Sequence, residues 1–328
     1  VFQPLDPHQL DTILQQSLRQ WLANLLPDLF PDPLPDLLSD PSPQLPQFEV
    51  HTYKTIGSTN LCLWDWFDRG AQEGTVAIAH TQQVGRGQRG RSWQSSPGGL
   101  YLSLGLQPNQ DALSATGLTI GCAWGIAAIF RQWAIPVGLK WLNDLILDGK
   151  KLGGILTETR IQQGRIQQAV VGIGLNWQNE VPEPGIALHS YLTQSWPTQG
   201  IPNSSTEDLA ATSGAEASAT SPAMLTSRES PVASIEHLAA LVLTGAWAGY
   251  WLWKTQGMTA LLPRYEALLL NQGQVVTLDG QTGTVRGITP LGHLRVQFSL
   301  PNGGTNERHL QSGEIQLGYG DRPPMASS

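Results

Sequence analysis

Gly85-Arg86-Gly87-Gln88-Arg89-Gly90-Arg91-Ser92-Trp93 is the stretch that decides how this chain reads. Three of the 19 Lys and Arg residues fall within six positions here, in a chain of net charge −7. No acidic residue lies between Gly74 and Asp111 to neutralise them. Glycine lets the backbone come close to a ligand, and arginine supplies planar donors that stay charged. A solvated turn has no need of that combination, whereas an anion site does. Expected strands at Thr75–Thr81 and Leu100–Gly105 flank it, so the loop joins two strands of a sheet.

Working outward, Phe48–Lys54 reads as a strand and Ser58–Trp66 as a helix with Ser58 or Thr59 at its cap. Ala115–Trp133 is a helix. Gly138–Trp141 and Leu145–Leu147 are short strands around an Asn143-Asp144 turn. Gly153–Arg160 and Ile166–Leu175 form a strand pair, and Ser234–Trp253 and Thr259–Leu270 are helical. The class is α+β, a mixed sheet with flanking helices over 48–271. Residues 272–328 hold a small β domain, because Gln274–Leu317 alternates apolar and polar residues between turns. Residues 1–47 read as an appendage: an amphipathic helix over Leu10–Leu26, then a Pro-, Asp- and Leu-rich run that cannot hold a helix. Residues 197–234 read as a disordered insertion rich in Ser, Thr, Ala, Pro and Gly.

Composition narrows the class. With 40% hydrophobic and 14% charged residues and 12 Trp, the chain is globular with a large core. Its acidic balance speaks against nucleic-acid binding. Two cysteines, Cys62 and Cys122, exclude a disulfide framework and a cysteine-built zinc site, and suit a reducing, cytoplasmic setting. No signal peptide is visible. Ala112–Phe130 and Leu238–Trp253 are apolar, but their small residues and length suit buried helices, so no membrane association is expected.

Three further clusters accompany the arginine loop. Gly57-Ser58-Thr59-Asn60 sets hydroxyls and an amide at a helix start, where a plain cap is the simpler explanation. Lys140-Trp141-Leu142-Asn143-Asp144 and Lys150-Lys151-Leu152-Gly153-Gly154-Ile155-Leu156 bring cations and oxygen ligands close in sequence. Gly172-Ile173-Gly174-Leu175-Asn176 lets a planar ligand lie near the backbone, but lacks the third glycine and opening helix of a dinucleotide fingerprint.

In order and identity these clusters, with Gln82-Gln83 before the loop, resemble the biotin protein ligases, from about Lys54 to Leu317. Gly273-Gln274-Val275-Val276, Gly283-x-Val285-x-Gly287-Ile288 and Gly313-Glu314-Ile315 resemble that family's C-terminal cap. The resemblance implies a catalytic domain akin to class II aminoacyl-tRNA synthetases and an SH3-like barrel. It implies ATP-dependent biotinylation of a lysine on the biotin carboxyl carrier protein of acetyl-CoA carboxylase, through biotinyl-5′-AMP. The expected partners are biotin, ATP with Mg²⁺, and that carrier, with the enzyme a monomer or homodimer. Gln88 stands where some members carry Arg, and Leu142 where Pro is usual. The short Pro-rich N-terminus is unlike a winged helix-turn-helix, so the enzyme-only type is expected.

By the same resemblance, Lys151 leads the chemistry, with Arg86 and Lys140. Ser58, Thr59, Asn60, Gln82, Arg86, Gly87, Gln88, Lys151 and Gly154 hold biotin, with Gly153 beside its tail. Arg89, Arg91, Trp93, Lys140, Asn143, Gly174 and Asn176 hold ATP and the adenylate. Asp144 is the one candidate for the Mg²⁺ that ATP carries. A lipoate or octanoate ligase of the same fold is the nearest rival; a nucleic-acid-binding module or an inactive scaffold is the more distant one.

Overall fold

The computed structural model describes residues 5–6, 8–14, 16, 47–195, 232–300, 303–315 and 317–318. The Pro-rich run and nearly all of the 197–234 segment lie outside the described residues. Eight strands form the main sheet: β1 (Glu49–Tyr53), β2 (Thr75–Ala79), β3 (Leu100–Leu106), β4 (Gln110–Asp111), β5 (Gly138–Lys140), β6 (Asp144–Leu147), β7 (Lys150–Gln162) and β8 (Arg165–Leu175). Their order is β1-β2-β3-β8-β7-β6-β5, with β4 against β8. β1 and β2 are parallel because helix α2 (Thr59–Asp68) lies between them; the other pairs are antiparallel. Every residue of β2 and β3 is buried, as expected for strands covered on both faces.

The back face is covered by α3 (Ala115–Gln132) and α5 (Ile235–Leu268). Gly117, Gly121 and Gly125 recur every fourth residue along α3, so they share one face. Gly121 and Gly125 meet Gly249 and Gly245 of α5, while Gly117 faces Trp253 and Met258. A Cβ on Gly125 would lie 1.9 Å from the Gly245 carbonyl oxygen, and one on Gly249 1.8 Å from that of Gly121. The two helices therefore touch backbone to backbone. This accounts for the long apolar run at Ala112–Gln132: it could span a membrane by length and composition, but 72% of its most apolar stretch is buried inside the protein. The two helices expected after Ser234 run on as α5, bent at Gly257, whose φ of 68° breaks the helical geometry. Residues 8–14 form helix α1, and its Leu10 and Leu14 are fully buried in the main core. That part of the expected appendage is packed against the sheet domain. A short helix, α4 (Leu188–Ser195), was not anticipated.

The front face carries α2, whose Leu63 and Phe67 pack on Ala77 and Val170. Beyond α5, β9 (Val275–Leu278), β10 (Gln281–Ile288), β11 (Leu294–Ser299) and β12 (Thr305–Leu310) form an antiparallel meander. Inward Val285, Leu294, Val296 and Phe298 are its core. It was expected as a barrel; among the described residues β9 and β12 do not pair with each other. The meander docks firmly on the sheet domain. Trp141 Nε1 donates to the Gly292 carbonyl (2.9 Å), and Ile288 N–H donates to Glu266 Oε1 (2.8 Å).

Candidate active site

A cavity of about 360 Å³ opens on the front face, between the α2 start, the arginine loop, the β5–β7 turns and the end of the β meander. All but two of the expected site residues line it: Ser58 to Asn60, Gln82, Arg86 to Arg89, Arg91, Trp93, Lys140, Asn143, Asp144, Lys151, Gly154 and Gly174. One exception is Gly153, which faces the Gly174 carbonyl of β8, and the other is Asn176. It is buried behind β7, where its Nδ2 donates to the Lys151 carbonyl (3.4 Å) and its Oδ1 accepts from Asn179 Nδ2 (3.1 Å). It braces the lysine's backbone.

The floor is neutral and hydrogen-bonded. Ser58 holds the N-cap position of α2 but makes no capping bond with its side chain, so the simple cap does not explain it. Instead Gln82 Oε1 accepts from the Thr59 N–H (2.9 Å) and hydroxyl (3.2 Å), while its amide donates to Ser95 Oγ (2.9 Å). The buried Ser103 hydroxyl is shared between Thr59 Oγ1 (2.7 Å) and Asn60 Oδ1 (2.6 Å). Buried polar groups are tolerated when paired in this way.

The loop is folded tightly on itself. Gly87 N–H donates to the Arg91 carbonyl (2.7 Å) and Trp93 N–H to that of Gly85 (2.9 Å). A Cβ on Gly85 would lie 2.3 Å from the Trp93 carbonyl oxygen, so only glycine fits there. Arg89 adopts a left-handed φ of 58°, followed by Gly90 at 71°. Two arginines are anchored: Arg86 Nη2 lies 3.0 Å from Glu158 Oε1, and Arg89 Nη2 donates to Ser312 Oγ (2.8 Å). The Trp93 indole covers Gly174, where a Cβ would sit 2.5 Å from the ring. Likewise a Cβ on Gly172 would lie 2.1 Å from Asn60 Oδ1. The Gly-x-Gly strand thus makes room for two of the protein's own side chains, and its Gly172 and Gly174 also line the cavity.

The lysines close the remaining side. Lys151 Nζ is 2.7 Å from Asp144 Oδ1 and 5.3 Å from the centre of the Trp93 ring. Burial holds Lys140 below the usual lysine range. Lys151 and Arg91 push it the same way, and Asp144 partly opposes them. Asn143 locks its turn through Nδ2 donating to the Ile155 carbonyl (2.7 Å). Among the described residues Asp144 is the one carboxylate lining the cavity, and no three His, Cys, Asp or Glu cluster as a metal site. A single carboxylate fits an Mg²⁺ ion whose other oxygen ligands come from phosphates and water.

Several contributors escaped the sequence reading. Glu158 ties Arg86 to α2; Ser95 and Ser103 complete the floor; Ser312, Ile315 and Leu317 of the C-terminal region form a wall. Glu158 was within reach of strand alternation, since Gly154, Leu156 and Glu158 share a face of β7. No local signal announces Ser312.

Residues 53–176 match the model of the Biotin/lipoate A/B protein ligase family. The chain is 33% identical over 148 residues to the bifunctional ligase/repressor BirA of Bacillus subtilis, covering 44% of this chain and 46% of that protein. It is 36% identical over 105 residues to the biotin–[acetyl-CoA-carboxylase] ligase of Paracoccus denitrificans, covering 30% and 42%. These matches span about half the length of such relatives. The biotin protein ligase from Aquifex aeolicus, solved in complex with biotin and ATP, superposes with a TM-score of 0.55 at 23% identity over 81% of this chain and 96% of that one. The chain resembles biotin protein ligases in sequence, and shares their fold.

Proposed function

We propose that this chain, whose residues 53–176 match the biotin/lipoate A/B protein ligase family, biotinylates a lysine of a carrier protein by way of biotinyl-5′-AMP. The observation that carries the reading is the meeting of Arg86, Arg91, Lys140 and Lys151 over one neutral, hydrogen-bonding floor. In the first step a biotin carboxylate oxygen forms a bond to the α-phosphorus of ATP, and the bond to pyrophosphate breaks with its electron pair. Two unit charges about 4 Å apart repel by roughly 4 kcal/mol at an effective dielectric of 20, and a triphosphate carries several. Fixed cations offset that repulsion and the charge that grows on the phosphoryl oxygens.

Lys151 is placed for this as a permanent charge. Asp144 pairs with its ammonium group and orients it, and an incoming carboxylate or phosphate takes over part of that pairing. Lys140 and Arg91 face the phosphates. The ureido ring of biotin suits Ser58, Thr59, Asn60 and Gln82, and the apolar tail can run over Gly154. Trp93 walls the adenylate. In the second step the acceptor lysine's amine attacks the mixed anhydride, AMP leaves, and the new amide nitrogen loses a proton. A loop that covers the anhydride keeps water away from it.

The carboxyl carrier of acetyl-CoA carboxylase is the acceptor we favour, given the name of the Paracoccus relative. The two free cysteines suit the cytoplasm, and we place the enzyme there as a monomer or homodimer. The repressor part of the BirA name is not carried over, since a net charge of −7 gives no support to DNA binding.

The test is biotin-dependent exchange of labelled pyrophosphate into ATP. Exchange should require biotin and fall by about a hundredfold or more in Lys151→Ala, the size of effect seen when one transition-state donor is lost. Exchange with lipoate or octanoate in place of biotin would move the chain to the rival chemistry. Exchange with none of these acids would sink the ligase reading.

A further inference from the structure

Arg86 is one of the loop residues that line the cavity, yet its guanidinium is already engaged. Its Nη2 lies 3.0 Å from Glu158 Oε1. The other oxygen of the same carboxylate accepts from Asn60 Nδ2 (2.8 Å) and from Trp64 Nε1 (3.4 Å). Asn60 in turn accepts from Ser103 through Oδ1, and Ser103 reaches Thr59. Thr59 reaches Gln82, and Gln82 reaches Ser95, two residues beyond Trp93. One unbroken set of hydrogen bonds, with the Arg86–Glu158 ion pair at its end, therefore links the floor of the cavity to both arms of the arginine loop.

Glu158 is the single charged member of that set besides Arg86. Its side chain is 22% exposed, so it is screened less than a surface carboxylate. β7 fixes its backbone through pairing with Val170 of β8, while Arg86 sits on an exposed loop. The strand-held partner sets the position of the loop-held one.

We propose that Glu158 is a positioning residue. It holds Arg86, and with it the loop, in a fixed relation to Asn60, so that the anion-binding and ring-binding parts of the cavity are set together. The inference rests on the ligase reading for what the cavity binds, but the tether itself stands on geometry. It predicts two separable effects of Glu158→Gln, which keeps the shape and removes the charge. Without ligand, the loop opens more often. With ligand, Asn60 loses its charged partner and is free to turn away from biotin.

The experiment compares the natural chain, Glu158→Gln, Arg86→Gln and the double variant. Limited trypsin cleavage after Arg89 and Arg91, without ligand, reads the loop and needs no activity. Cleavage should rise roughly fivefold in Glu158→Gln, as for loss of an ion pair of about 1 kcal/mol. Arg86→Gln should show the same rise and the double variant no more, because both changes break one tether. In pyrophosphate exchange, Glu158→Gln should raise KM for biotin roughly tenfold, the cost of a hydrogen bond to a charged group, with kcat changed far less. Unchanged cleavage in Glu158→Gln, or additive cleavage in the double variant, would overturn the tether. Raised cleavage together with an unchanged KM for biotin would overturn the coupling to Asn60. If the natural chain exchanges nothing with biotin, the ligase reading fails while the cleavage comparison still decides the tether. Arg86→Gln lies on an exposed loop and gives the same cleavage readout should Glu158→Gln not fold.

Discussion

The two faces of the main sheet use glycine for opposite purposes. On the back, Gly121 and Gly125 of α3 meet Gly249 and Gly245 of α5, and the missing side chains let two backbones touch. On the front, Gly172 and Gly174 leave the sheet bare so that Asn60 and Trp93 can stand on it. Back-face glycines remove side chains to make a solid; front-face glycines remove them to admit polar groups. The same residue therefore reports stability on one face and binding on the other.

The comparison breaks most visibly at Gly249. Adding a methyl there puts a carbon 1.8 Å from the Gly121 carbonyl oxygen, with backbone on both sides and no flexible atom to yield. Gly249→Ala should lose about 3 kcal/mol in denaturant unfolding, near the top of the usual overpacking range. A loss under 1 kcal/mol, on the same scale, would mean that the helices can separate cheaply.

Gly172→Ala tests the other face. Its new methyl meets Asn60 Oδ1, the end of a side chain that can turn aside. Stability should fall by less than about 1.5 kcal/mol. Biotin affinity, measured by calorimetry, should weaken roughly tenfold or more as Asn60 leaves Ser103 and Glu158. If both properties fell in proportion, the front glycine would be structural after all.

The smallest expected effect concerns Lys140. Burial lowers its folded-state pKa below its unfolded value, so its charge opposes folding while the amine is protonated. That cost is relieved as pH rises through the lowered value, where the unfolded chain holds the extra proton. Anion binding has the opposite preference, because it favours the charged amine. ATP affinity should therefore begin to fall on the alkaline side at a lower pH than an ordinary lysine would dictate. Lys140→Met should bind more weakly and lack that limb; the same pH profile in the variant would assign it to another group.

Much of the site was readable from the chain because its groups sit in short runs. A loop such as Gly85 to Trp93 needs its glycines and arginines adjacent, so the spacing itself records the fold-back. The sheet strands were legible for the same reason, as alternation is local. What escaped reading were partnerships across the sheet. Glu158 looks like one polar residue in a strand, and its meaning comes only from Arg86 and Asn60 arriving over it from distant elements. Asn176 was placed at the ligand because it ends a glycine strand, but the hydrogen bond from Asn179 turns it towards the back of Lys151. The Gly-x-Gly motif signals a close approach, while the side chains that make it, Trp93 and Asn60, lie outside any sequence window. α1 was set apart by its Pro-rich surroundings, which conceal two leucines that complete the core.

The contact between Arg89 and Ser312 sets an order of events in the chain's own synthesis. Arg89 rests against Gly313 so closely that a methyl there would lie 2.4 Å from its guanidinium carbon. Residues separated by more than 200 positions thus have to meet before the loop acquires its second anchor. Domains form from the N-terminus during translation, so a nascent chain complete through α5 can hold its sheet and both lysines but not this anchor. Only when Ser312 has cleared the ribosome can the loop take its final form. A ribosome-stalled chain ending before the β meander should therefore be folded yet open to trypsin at Arg89.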